Sequence, residues 1–180
     1  MKTKVTFLGL LIAAAMMLSY IEALIPFYFA IPGIKLGLAN AAILVTLYMY
    51  GWKEAFLVNV TRILLMGVLF GNIYSFLFSI SGGILSMAVM ATFLYSRKFS
   101  ILGVSVAGGI FHNIGQIIFG VIFFRINEFL YYIPVLLLSG LITGALIGIL
   151  LFEINRRVHF YRRESTGEKQ NDSVFKRETN

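Results

Sequence analysis

His112, Asn113 and Gln116 stand close together in an otherwise apolar run, and Glu22, Lys35, Asn40, Asn59 and Arg62 interrupt other hydrophobic stretches of the same chain. Arg62 follows Asn59 by three residues and Gln116 follows His112 by four, so on helices each pair shares one face. Groups of this kind cost a few kcal/mol in hydrocarbon and persist where a cavity or a partner receives them. The chemistry they suit is recognition. Cations with few acids favour an anionic or amide-bearing small molecule, and Glu22, Lys35, Asn40, Arg62, His112, Asn113 and Gln116 are the predicted substrate-binding residues of one polar chamber open to the outside. Structural alternatives stand beside this. Glu22 can form an ion pair with Lys35 or Arg62, the asparagines can bond between helices, and His112 can be a packing residue or a proton carrier near neutral pH.

Other chemistries lack their residues. The acids are Glu22, Glu54, Glu128, Glu153, Glu164, Glu168, Asp172 and Glu178, without a pair at helical spacing in the apolar segments and without an aspartate-rich cluster for a magnesium-bound diphosphate. Only two histidines are present, His112 and His159, and cysteine is absent, so disulfides and thiolate-bound metals are excluded. No phosphate-cradling Gly-x-x-x-x-Gly-Lys loop occurs. The chain is predicted to be no enzyme and to need neither metal nor cofactor. Any ATP that drives it is hydrolysed by another subunit.

These side chains must be positioned by membrane helices. Of 180 residues 59% are hydrophobic and 13% charged, with a mean hydropathy of +0.87, far from a soluble domain. A bilayer core of ~30 Å needs about 20 apolar residues per helix. Six segments qualify, near 5–25, 34–50, 54–70, 72–95, 100–124 and 130–154, which predicts an all-α integral membrane protein with a transmembrane domain over 1–155. Residues 156–180 form a basic and polar tail, expected to be disordered. The first segment also has the form of a signal peptide, but it is longer than a typical signal core and five more apolar runs follow.

Six spans put both termini on one side. That side holds Lys2, Lys4, Lys53, Arg97, Lys98, Arg156, Arg157, Arg162 and Arg163, against Lys35 and Arg125 opposite, so the termini are expected to be cytoplasmic. The net charge of +7 is thereby explained by topology rather than by nucleic acid, and the basic side can also touch anionic lipid. Between the first two segments, prolines and glycines punctuate a predicted external lid with Phe27, Tyr28, Phe29, Pro32 and Gly33, moving over residues 26–32. Gly140, Gly144 and Gly148 are spaced by four and give a smooth face for helix packing or for a partner protein.

Several stretches carry a family resemblance: Pro-Gly-Ile-Lys-Leu-Gly-Leu-Ala-Asn at 32–40, Gly-Trp-Lys-Glu-Ala at 51–55, Phe-Gly-Asn at 70–72, Ser-Phe-Leu-Phe-Ser-Ile-Ser-Gly-Gly at 75–83, and Gly-Val-Ser-Val-Ala-Gly-Gly-Ile-Phe-His-Asn-Ile-Gly-Gln at 103–116. Over about residues 18–149 the chain resembles the small six-helix Gx transporters, also labelled heptaprenyl diphosphate synthase component I. That family is similar to the S components of energy-coupling-factor (ECF) transporters. The resemblance implies a six-transmembrane-helix bundle with cytoplasmic termini, in the cell membrane, whose first external loop closes over an outward-facing site. It implies uptake of a small-molecule substrate, energised by an ECF-type transmembrane coupling subunit and ATPases. The synthase label implies a second role, a non-catalytic membrane accessory of prenyl diphosphate or quinone-pathway enzymes, because the aspartate-rich motifs of chain elongation are missing.

Overall fold

A computed structural model describes residues 2–24, 37–70, 73–124, 131 and 133–158. Six helices run through them: α1 (Lys2–Leu24), α2 (Asn40–Tyr50), α3 (Trp52–Leu69), α4 (Ile73–Ser96), α5 (Ile101–Phe124) and α6 (Ile133–Val158). No strand occurs among the described residues. Four helices are long and apolar enough to cross a membrane, over Lys4–Leu24, Ile73–Ser96, Ile101–Phe123 and Ile133–Arg157. Their outward faces carry exposed Leu10, Met17, Ile84, Ile122, Leu146 and Leu150, which suits acyl chains and not water.

The second and third segments differ from expectation. A helix over 34–50 is not what forms: α2 starts at Asn40, because Gly37 takes a left-handed φ of +90° and a turn follows it. Its 11 residues rise about 16 Å, half of a bilayer core. The third segment is helical, but Lys53, Glu54 and Arg62 keep α3 from being apolar enough to span by composition alone. Lys35, the five lid residues Phe27, Tyr28, Phe29, Pro32 and Gly33, and the tail beyond 158 lie outside the described residues.

The short helix is the hub. Every other helix contacts α2, and seven of its residues, from Asn40 to Tyr48, are buried. A helix apolar on all sides belongs inside a protein. Ile43, Leu44, Leu47 and Tyr48 pack with Val58 of α3, Met87 and Met90 of α4, Val104 of α5 and Ile147 and Leu151 of α6. This apolar core fills one half of the bundle. Gly51, at φ +95°, joins α2 to α3 by a single residue.

Around the hub, α4, α5 and α6 approach closely through small residues. A Cβ added to Gly144 would stand 2.8 Å from the Ser105 carbonyl oxygen, one on Gly140 2.6 Å from that of Gly109, and one on Gly148 2.9 Å from the Leu102 Cα. The glycine face of α6 therefore lies against the α5 backbone within the chain. Ser105 Oγ donates to the Gly144 carbonyl at 2.7 Å, and Ser86 Oγ of α4 to that of Gly108 at 2.8 Å.

Candidate functional site: a polar circuit at the head of the short helix

Polar side chains from four helices, α1, α2, α3 and α5, converge with the α4 backbone where α2 begins. On α1 the buried stripe runs Leu11, Ala15, Ser19, Glu22, and its last two members are one turn apart. Glu22 Oε1 accepts a hydrogen bond from the Gly37 amide at 2.6 Å and Oε2 accepts one from Leu38 at 3.2 Å. A carboxylate thus sits at the positive end of α2, where helix dipole and free amides favour it.

Gly37 in turn packs on the next members. A Cβ there would be 2.9 Å from Asn40 Nδ2 and 3.2 Å from His112 Cδ2, so a glycine is needed for space as well as for φ. On its other side the His112 ring meets α4: a Cβ on Gly82 would lie 3.0 Å from both His112 Cε1 and Gln116 Cγ. The neighbouring Gly83 carbonyl accepts from Asn59 Nδ2 at 3.1 Å. Asn59 Oδ1 accepts from Arg62 Nη2 at 2.7 Å, and Arg62 Nη1 donates to Ser19 Oγ at 3.0 Å. The circuit closes on α1, where it began.

Of the expected residues, Glu22, Asn40, Arg62, His112 and Gln116 are brought into this circuit, all of them buried. His112 is the twelfth residue of a 24-residue helix, so the site lies at the middle of α5. Asn113 turns to α6, donating from Nδ2 to the Leu136 carbonyl and to Ser139 Oγ. Asn40 Nδ2, Arg62 Nε and Asn113 Oδ1 are buried without a hydrogen-bond partner among the described residues, and groups left so are costly. Ser19, Gly37 and Gly82 belong to the circuit without standing out as binding residues. Gly37 and Gly82 fall inside the resembling stretches at 32–40 and 75–83, and Ser19 is marked only by its spacing to Glu22.

Two of the cavities among the described residues lie elsewhere. A groove of about 460 Å³ between α5 and α6 is walled by Ile114, Ile117, Ile118, Ile122, Ile133 and Leu137, and a pocket of about 210 Å³ lies at the basic end of the bundle. Neither is lined by a circuit residue. What the circuit can do is hold charge and hydrogen bonds inside the bundle, level with the middle of α5. Among the described residues no group of three or more histidines or acids comes together to hold a metal.

A family model described as heptaprenyl diphosphate synthase component I matches residues 11–154, a span that includes every residue of the circuit. The chain belongs to that family. Component I is the non-catalytic component, so this chain is not itself the catalyst. The family name implies a partner, component II of the synthase. No curated protein and no solved structure matches the chain.

Proposed function

We propose that this component I is a membrane substrate-binding or uptake component for a small molecule carrying an anionic or amide group. The observation that carries the proposal is the buried head of α2, where Gly37, Leu38 and Asn40 meet Glu22, His112 and, through Asn59 and Ser19, Arg62. A helix that starts at mid-depth turns its positive end and its amides toward a bound anion, as the broken helices of secondary transporters do. Glu22 occupies that end now. Asn40 Nδ2 and Arg62 Nε, unpartnered among the described residues, are the donors in reserve, with Lys35 and Gln116 as further contacts and Phe27, Tyr28, Phe29, Pro32 and Gly33 as the cover.

On this proposal the domain of 1–155 has the fold of an ECF S component, sits in the cell membrane with both termini cytoplasmic, and is energised by a coupling subunit and ATPases, while 156–180 forms a cytoplasmic tail. Native mass spectrometry of the purified protein tests it. A small molecule should be retained by the wild type and lost, by about tenfold or more, from Asn40→Ala and His112→Ala at equal membrane insertion. Retention by both variants like the wild type removes the site.

The family name favours a second role at least as well: a membrane accessory that accompanies component II. Purification in mild detergent separates the two. Recovery of an ATPase and a coupling subunit supports uptake, and recovery of a prenyl synthase subunit supports the accessory role.

A further inference from the structure

Far from the circuit, at the end of the bundle where α2, α4 and α6 finish and α5 starts, a pocket of about 210 Å³ is lined by Tyr48, Leu94, Phe99, Phe152, Arg97 and Asn155, among others. Tyr48 is buried at its base, whereas Phe99 and Phe152 are exposed at 42% and 57%. Exposed aromatic rings beside a cation describe an amphiphilic site.

Charge at this end is unbalanced. Glu54 is paired with Lys4 at 2.6 Å and Glu153 with Arg157 at 3.0 Å, while Arg97 and Lys98 have no acidic partner within 4 Å among the described residues. Arg97 also holds an uncommon backbone. It follows the last residue of α4 and donates from its amide to the Leu94 carbonyl at 3.1 Å with φ +57°, the left-handed conformation that usually selects glycine after a helix. A side chain kept where glycine is the stable choice points to work done by that side chain. Depth decides the ligand. Three helices long and apolar enough to span end or begin beside the pocket, at Ser96, Ile101 and Arg157, which puts it at the level of lipid headgroups.

We propose that this pocket binds the phosphate head of an anionic bilayer phospholipid, with Arg97 on the phosphate and the first carbons of the tails against Phe99 and Phe152. The same chemistry, a phosphate on an apolar tail, is found in prenyl diphosphates, so the test includes one.

The full chain is placed in nanodiscs with equal phosphatidylglycerol and phosphatidylcholine, and the lipid retained on release is counted by native mass spectrometry. The wild type is expected to keep phosphatidylglycerol in preference. Arg97→Gln, which removes the charge alone, and Arg97→Gly, which also relieves the backbone, are each expected to lose that preference by about tenfold, the effect of one charge-assisted phosphate contact. Arg97→Gly should unfold at the same or a higher temperature than wild type, which separates binding from folding. Lys53→Ala, on the same end but outside the pocket, should change nothing. Equal retention of the two lipids, an Arg97→Gln variant like wild type, or an equal loss in Lys53→Ala overturns the proposal. So does displacement of phosphatidylglycerol by equimolar farnesyl diphosphate, which would assign the pocket to a prenyl chain.

Discussion

Asn59 and Asn113 show how one residue type does two jobs in the same bundle. Asn59 bridges the Gly83 carbonyl and the Arg62 guanidinium; without it a buried charge loses a partner. Asn113 bonds the Leu136 carbonyl, which also accepts from Ser139 Oγ at 2.8 Å and so keeps a donor if Asn113 is lost. Asn59→Leu is therefore expected to cost about 2–3 kcal/mol and Asn113→Leu about 0.6–1 kcal/mol, a ranking that thermal unfolding in detergent checks. That these residues turn inward was legible in the sequence, because a polar side chain in an apolar helix has few other places to go. Their partners were not. Glu22 bonds to backbone amides fifteen and sixteen residues away, and no spacing rule connects a side chain with the main chain of another segment.

At the scale of elements, α4, α5 and α6 were legible to within a few residues because each apolar run is long and bounded by polar residues. The start of α2 was hidden, since hydropathy does not register a positive φ and residues 36–39 are as apolar as a helix interior except at one glycine. The glycine face of α6 offered two outcomes from sequence, a contact within the chain or one with a partner. Against the α5 backbone it serves the first. Gly144→Val puts three carbons where the Ser105 carbonyl stands and is expected to lower stability by about 1–3 kcal/mol. Gly9, with open space around its Cβ, is the matched control, and Gly9→Val should not lower the unfolding temperature.

The whole molecule is polarised along its axis, with basic side chains and an apolar core at one end and the polar circuit above them. Orientation in the membrane follows from testing the two ends separately. The chain contains no cysteine, so single cysteines at Arg157, on the basic end, and at the exposed Tyr131, which precedes α6, report sidedness without background. An impermeant maleimide added to intact cells is expected to label Tyr131→Cys and to spare Arg157→Cys, and the opposite pattern would invert the topology. The short central helix has a last consequence, for how the protein is made. Neither α2, at 11 residues, nor α3, with its three charges, is a segment that partitions into lipid unaided. Their polar groups find partners on α1, where Lys4 receives Glu54, Ser19 receives Arg62 and Glu22 receives the amides that precede α2. The α2–α3 hairpin is therefore expected to enter the bilayer only together with α1, and α2–α3 produced without α1 should be extracted from membranes at alkaline pH where the whole chain is retained.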